Sequence, residues 1–300
     1  FMKVFLTGCE GQLGSSINKC KPKKIAGEDF EFIPLTKSEF NLENIDEFKK
    51  IILRNQPDWI INTAAFTNVD LAEKNKNNAI KINSDAPRAI SNALSKYGGN
   101  LLHISTDFVF NGVSSTPYKV DAERKPINSY GISKAAGEKA IEEILVPKKL
   151  GNIIRTSWLI GSTGKNFART IIKLLNERSE ISVVSDQIGS PTSTSSLAEA
   201  CWKIIIFNCQ GKKLPSHYHF SNSGVASWYD LAVAIGQIGK ELGLIKSSRF
   251  RIIPIQSVDF PTPANRPSYS VLDCFDTLKV LELSPVYWRE ELYKTLKEFI

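Results

Sequence analysis

Tyr130 and Lys134 stand four residues apart in Asn128-Ser129-Tyr130-Gly131-Ile132-Ser133-Lys134-Ala135-Ala136-Gly137-Glu138-Lys139. The run 132–143 favours helix, with Ala135, Ala136 and Ala140 in it. On a helix, positions i and i+4 share a face. A phenol held beside an ammonium is a proton donor with a helper: the lysine charge stabilises the phenolate and is expected to pull the tyrosine below its free pKa of about 10. A lone Tyr-x-x-x-Lys is more often a surface tyrosine beside a solvated lysine, so the elements around the pair must decide.

Upstream, residues 3–7 are rich in β-formers and are followed by Gly8, Gly11 and Gly14 and a helical stretch over 12–20. Strand, glycine loop and helix form a phosphate cradle: the glycines let backbone approach a pyrophosphate, and the helix N-terminus offers it free N–H groups. Cys9 lies inside the loop and reads as a small filler rather than a redox switch. A second strand over 31–36 ends in Thr36-Lys37-Ser38, with no carboxylate until Glu39. An acidic residue there favours NAD, whereas hydroxyl or basic groups accept the 2′-phosphate of NADP, so this end tilts toward NADPH.

Residues 45–54 form an amphipathic helix, and 58–63 an apolar strand that suits a parallel sheet covered on both faces. Ala64 and Ala65 after it are small enough to admit a flat cofactor. A long helix is expected over 78–97, a fourth strand over 100–105 and a fifth over 151–156. The fourth strand runs into Thr106, whose hydroxyl would point into the crevice where such sheets bind ligands, and Asn128 or Ser129 can cap the helix that carries Tyr130. This alternation predicts an α/β fold with a Rossmann-type doubly wound parallel sheet. The division expected is a dinucleotide-binding domain over 1–157 and a smaller mixed α/β lobe, mainly substrate-binding, over 158–300, interleaved with the first. His217 and His219 share a strand face with no acidic or cysteine neighbour in sequence, so no metal site is expected there.

The 300 residues are 42% hydrophobic and 23% charged, an ordinary globular balance, and contain no apolar run long enough to span a membrane. The net charge of +7 is dispersed; its densest run, Lys19 to Lys24, lacks interleaved aromatics, which argues against nucleic acid and suits a polyanionic small molecule. Five scattered cysteines without C-x-x-C spacing point to a reduced, cytoplasmic setting.

The motif set resembles the extended short-chain dehydrogenase/reductase family and, within it, the dTDP-4-dehydrorhamnose reductases. The matching pieces cover nearly the whole chain: Thr7-Gly8-Cys9-Glu10-Gly11-Gln12-Leu13-Gly14, Ala64-Ala65-Phe66-Thr67-Asn68-Val69-Asp70, Ser105-Thr106-Asp107-Phe108-Val109-Phe110, Tyr130 to Lys134, Arg155-Thr156-Ser157-Trp158, Asp186 to Thr192, Ser227-Trp228 and Arg266-Pro267. The resemblance implies an NAD(P)H-dependent oxidoreductase that reduces the 4-keto group of dTDP-4-dehydro-6-deoxy-L-mannose to dTDP-L-rhamnose, in nucleotide-sugar biosynthesis. It implies Tyr130 as proton donor, Lys134 on the nicotinamide ribose and Thr106 on the reacting oxygen. For the cofactor, NADPH or NADH, it implies Gly8, Gly11, Gln12, Leu13, Gly14, Thr36, Lys37, Asn41, Leu42, Ala64, Ala65, Phe66 and Thr67 together with Tyr130 and Lys134. For the nucleotide sugar it implies Val69, Thr106, Asp107, Tyr130, Trp158 and Arg266, the last either a pyrophosphate partner or a structural salt bridge.

Phe66 stands where the family usually has Tyr, and Asn41-Leu42 where an Asp often contacts adenine. Some members need Mg²⁺; no ligand cluster here predicts it. A homodimer is left open, and neither membrane nor nucleic acid is an expected partner. The competing readings are another nucleotide-sugar 4-ketoreductase, an epimerase or dehydratase, or a non-catalytic subunit like the β subunit of methionine adenosyltransferase. Phe108 denies a dehydratase the carboxylate that its relatives carry at that position, and the presence of Thr106, Tyr130 and Lys134 together favours catalysis.

Overall fold

The computed structural model describes residues 1–247 and 249–300. Five strands, β1 (Met2–Thr7), β2 (Phe30–Leu35), β3 (Trp59–Asn62), β4 (Asn100–Thr106) and β5 (Gly151–Thr156), pair in parallel in the order β5-β4-β3-β1-β2. A sixth strand, His217–His219, joins parallel to β5. Alternate residues along each strand serve opposite faces, as a period of two requires. Val4, Leu6, Ile61, Leu102 and Ile154 pack to one side with Leu197, Trp202 and Ile205. Phe5, Ile60, Leu101 and Ile153 pack to the other with Phe48, Ile90 and Ile141. Both faces are thus covered, which is why the strands read as continuous apolar runs.

The chain leaves β1 for β2 on one side and returns to β3 on the other, so the strand order reverses beside the carboxyl end of β1. Ligands bind at such a switch point. The helices α1 (Gln12–Lys19) and α2 (Ile45–Asn55) follow β1 and β2. After β3 come α3 (Val69–Lys74), α4 (Lys76–Ile80) and α5 (Ala86–Leu94). The single helix expected over 78–97 is therefore broken: a π-helical turn, Lys81–Asp85, separates α4 from α5. That turn presents Asn83, whose amide holds the Phe66 backbone on both sides (2.8 and 2.9 Å) and donates to Ser133 at 3.0 Å. The extra residue per turn re-aims a side chain toward the crevice wall, a common use of such turns.

The helix α6 (Ser129–Ile144) carries Tyr130 and Lys134. Asn128 caps it, accepting from Gly131 N at 2.8 Å, and donates to the Asn265 carbonyl at 2.7 Å, which ties the helix start to the last third of the chain. Three further helices, α7 (Phe167–Glu177), α8 (Thr194–Cys209) and α9 (Trp228–Glu241), precede α10 (Phe275–Val280) and α11 (Trp288–Lys297). Residues of α8 pack on the sheet with α1, whereas α7, α9 and α11 enclose a separate core with Ile181, Val183 and Trp288. A parallel strand pair, Glu180–Val184 with Arg251–Ile255, closes that second core. No helix among the described residues is long and apolar enough to cross a membrane.

Candidate active site

A cleft of about 700 Å³ runs along the carboxyl ends of β1, β3, β4 and β5 and under the second core. Its floor at β1 is the glycine loop. Gly8 adopts φ +68°, which L side chains rarely reach, and a Cβ on Gly14 would lie 2.1 Å from the Gly8 carbonyl oxygen. The tight turn and the start of α1 therefore depend on these two glycines, and together they leave the cradle shape that a pyrophosphate needs. Gly11, Gln12 and Leu13 line the same end; Gln12 Oε1 accepts from Gly161 N at 2.9 Å and Asn166 Nδ2 at 3.0 Å, which joins the loop to the second half of the chain.

Lys37, Asn41, Leu42, Ala64, Ala65, Thr67 and Val69 also lie on the cleft wall, but Thr36 and Phe66 do not. Thr36 stands at the end of the edge strand, where its N–H and hydroxyl both donate to Glu39 Oε2 at 2.8 Å. Phe66 turns toward the core beneath α5 while Asn83 holds its backbone. The carboxylate that the sequence lacks at position 36 is thus returned to the strand end by Glu39, three residues on.

The chemistry-bearing side chains meet at the ends of β4 and α6. Thr106 Oγ1 donates to Asp107 Oδ1 at 3.0 Å and accepts from Phe108 N at 3.2 Å. Thr106, Asp107, Tyr130 and Lys134 all face the cleft. Tyr130 packs edge-on against Phe108, their ring centroids 5.8 Å apart. Burial, opposed by the neighbouring Thr106 hydroxyl and reinforced by the Asp107 charge, pushes the Tyr130 phenol up to about 12. This reverses the expectation that Lys134 would draw it down. In the low-dielectric floor of the cleft, desolvation of a phenolate outweighs a lysine whose own nitrogen is directed at the Ile104 carbonyl, 2.6 Å away. Burial lowers Lys134 to about 8, against the Glu138 carboxylate one turn along, which raises it. Burial also lifts Asp107 to about 6. The Ser270 and Thr106 hydroxyls oppose that rise; even so, Asp107 Oδ2 is buried without a hydrogen bond of good geometry, and so is Thr156 Oγ1 on the neighbouring strand end.

Opposite these groups Trp158 lies flat on Trp228, ring centroids 3.6 Å apart and planes within 8°. Trp158 has φ +45°, a strained conformation for a bulky residue. A Cβ on Gly189 would fall 2.5 Å from its ring, so the glycine makes room for the indole. Arg266 reaches the cleft, but its NH1 and NH2 hold Asp70 at 3.0 and 2.8 Å, and NH1 also holds Thr262 at 2.6 Å. Sequence reasoning did not place Phe108, Thr156 or Trp228 in the site. Each lay inside a motif that carried the resemblance: Phe108 in Ser105 to Phe110, Thr156 in Arg155 to Trp158, and Trp228 in the Ser227-Trp228 pair.

His217 and His219 do not converge. His217 Nε2 meets Glu142 of α6 at 2.8 Å, and His219 is buried beside Arg155 at 3.1 Å. No group of three or more metal-ligating side chains occurs among the described residues.

A parallel doubly wound sheet, a glycine cradle at its switch point and a Thr-Tyr-Lys cluster at the adjoining strand end define a dinucleotide-dependent oxidoreductase of the short-chain type. Comparison with known proteins narrows this. Residues 2–300 match the model of the RmlD substrate binding domain. The chain is 39% identical over 296 residues to the spore coat polysaccharide biosynthesis protein SpsK of Bacillus subtilis, covering 99% of this chain and 97% of that one. It is 33% identical over 279 residues to the dTDP-4-dehydrorhamnose reductase of Burkholderia thailandensis, covering 90% of each. The crystal structure of dTDP-4-dehydrorhamnose reductase from Bacillus anthracis in complex with NADP superposes with a TM-score of 0.84 at 34% identity, covering 99% of both chains. The chain belongs to the dTDP-4-dehydrorhamnose reductase family.

Proposed function

We propose that this protein reduces the 4-keto group of dTDP-4-dehydro-6-deoxy-L-mannose to give dTDP-L-rhamnose. The observation that carries the reading is the meeting of Thr106, Asp107, Tyr130 and Lys134 in one cleft with the glycine cradle. The glycine loop and the start of α1 would hold the dinucleotide pyrophosphate, and Ala64, Ala65 and Thr67 the wall beside it. The nicotinamide, when bound, supplies the hydride.

The residues of the chain then handle the proton. A phenol held at about 12 stays protonated at neutral pH. It becomes a competent acid only when the substrate oxygen turns into an alkoxide, whose proton affinity approaches that of hydroxide, about 15.7. Transfer from Tyr130 to that oxygen is then downhill, and such positioned acid catalysis contributes about 10²–10⁴ in rate. Thr106 can turn its hydroxyl from Asp107 to the same oxygen and fix its orientation. Lys134 offers its remaining N–H to the cleft, the place for the nicotinamide ribose. Asp107 Oδ2, which has no hydrogen bond of good geometry although the Ser270 hydroxyl acts on the carboxylate, is an acceptor that a sugar hydroxyl would satisfy, and the Trp158–Trp228 pair supplies a flat apolar wall for the sugar ring. For Arg266 to bind the pyrophosphate, it must exchange Asp70 for phosphate.

Cofactor preference is set at the end of β2. Lys37 is available to a 2′-phosphate, but it lies 3.6 Å from Glu43, and Glu39 places a negative charge beside it. Use of both NADPH and NADH fits this balance better than strict NADPH dependence. The test is direct: the protein, either reduced cofactor and enzymatically generated dTDP-4-dehydrorhamnose are mixed, and the absorbance of the reduced cofactor is followed. Oxidation that depends on the sugar nucleotide is expected. None with either cofactor would sink the proposal.

A further inference from the structure

Beneath Lys134 lies a row of polar side chains that the reduction chemistry does not use. Thr7 on β1 is in register with Asn62 on β3, and Asn62 with His103 on β4. Matching register on neighbouring strands puts all three on one face of the sheet, the face that α6 covers. None is more than 1% exposed. Polar atoms buried this deeply must be matched, and here the matching has a direction. Ala64 N donates weakly to Thr7 Oγ1 at 3.5 Å, and the Thr7 hydroxyl donates to Asn62 Oδ1 at 2.6 Å. That leaves Asn62 Nδ2 facing His103 Nδ1 at 3.0 Å. An amide nitrogen only donates, so Nδ1 accepts, and a neutral imidazole then carries its one proton on Nε2. Nε2 lies 3.3 Å from Lys134 Nζ.

We propose that His103 is a positioning residue for Lys134: held in its Nε2–H form by Asn62 and Thr7, it directs an N–H at the lysine nitrogen and favours the free amine over the ammonium. The charged groups that bear on the ring are Lys134 and Glu138, both on α6; burial and Lys134 hold the imidazole well below its ordinary pKa, so it is neutral. Burial lowers Lys134 and Glu138 acts in the opposite sense; an N–H of His103 aimed at the lysine nitrogen acts in the same sense as burial. The Ile104 carbonyl fixes where the nitrogen sits, and His103 sets how readily it holds its third proton. In the reductase reading, on which only this consequence rests, the charge that Lys134 shows the cofactor ribose becomes sensitive to pH near neutrality.

The test uses the full chain without substrate or cofactor. The protein has three histidines, so ¹⁵N-histidine NMR resolves them, with the His103 signals identified by their loss in His103→Gln. The Nε2–H neutral form is expected at pH 7; an Nδ1–H ring or an imidazolium would overturn the proposal. A second measurement follows the ¹³Cε signal of Lys134, identified by its loss in Lys134→Met, through a pH titration. In His103→Leu, which keeps the site apolar, the midpoint is expected to rise by about half a pH unit or more, a threefold or greater gain in proton affinity. A midpoint that is unchanged or lower overturns the proposal. Should His103→Leu fail to fold, Asn62→Asp serves through the ring itself: its carboxylate accepts from Nδ1–H, so the ring reverses its tautomer. A ring that stays in the Nε2–H form in that variant is equally fatal. Failure here is distinguishable from failure of the reductase reading, which is measured by cofactor oxidation.

Discussion

Replacing Glu138 with Gln should destabilise the protein by about 3 kcal/mol at pH 7, and the magnitude follows from what the carboxylate holds. Glu138 is fully buried on α6, one turn beyond Lys134. It accepts from Arg155 Nε at 2.9 Å and NH2 at 2.8 Å, from Arg124 NH1 at 2.7 Å, and from Ser105. Burial alone would raise its pKa, but Arg155, Ser105 and Arg124 outweigh that and hold the carboxyl down to about 2 from the ordinary 4.5. At about 1.36 kcal/mol for each tenfold change in proton affinity, that depression corresponds to about 3 kcal/mol. The figure agrees with the ~3–5 kcal/mol lost when one partner of a buried ion pair is removed. In Glu138→Gln, Arg155 stays buried without its counter-charge: one side-chain oxygen remains at position 138, the other becomes an NH₂ that faces the guanidinium donors, and the other acceptors are the Val120 carbonyl and the His219 ring, at 2.9 and 3.1 Å. The assay is urea unfolding of both proteins across pH. Because the folded pKa is depressed, the contribution is complete above the unfolded pKa of about 4.5 and is lost as pH falls through about 2. The difference between the two proteins should therefore be constant from pH 7 to 5 and fall to under about half by pH 3. A difference below about 1 kcal/mol at pH 7, or one that grows in acid, would refute the reasoning.

Tyr130→Phe should lower kcat by about 10²–10⁴ while leaving cofactor affinity within a few-fold, since only the proton donor is lost; near-native turnover would rule the phenol out as the acid. Trp228→Ala removes the surface on which Trp158 lies, so KM for the sugar nucleotide should rise by about 2–12-fold, as an aromatic pair of ~0.5–1.5 kcal/mol implies. Steady-state kinetics with kcat affected and KM unchanged would contradict that role. Gly137→Ala would put a Cβ 2.1 Å from the Asn83 carbonyl oxygen and force α6 away from the π turn. Calorimetry should show a loss of about 1–3 kcal/mol; an unchanged melting temperature would show that the contact gives freely. Glu39→Gln removes the charge seated on Thr36, so the NADPH/NADH ratio of kcat/KM should rise by roughly 3–10-fold, a screened charge repulsion of about 1 kcal/mol. A ratio that stays constant would mean the carboxylate does not face the 2′ position.

The alternation of strands and helices was legible because its signals are local: period two in the strands, period 3.6 in the helices, and glycines where a turn needs φ above zero. The cap at Asn128, the glycine cradle and the i, i+4 placement of Tyr130 and Lys134 are of the same kind. The break before α5 did have a local signal, Pro87 in the first turn of that helix; the π form of the turn at Lys81–Asp85 had none, because it is set by Asn83 reaching Phe66 and Ser133, 17 and 50 residues away.

By itself the sequence determined the sheet, the cradle and the placing of Tyr130 and Lys134 on one helix face, since each depends on residues close together in the chain. It did not determine their electrostatics. The tyrosine rises rather than falls, because burial at the start of α6 against Phe108 counts for more than a lysine directed elsewhere. Glu39 returns a carboxylate to a strand end that lacks one in sequence. Thr7, Asn62 and His103 become one row only when three strands take their register. These outcomes belong to the tertiary structure, because the dielectric, the register and the facing partner of a side chain are set by segments tens of residues away.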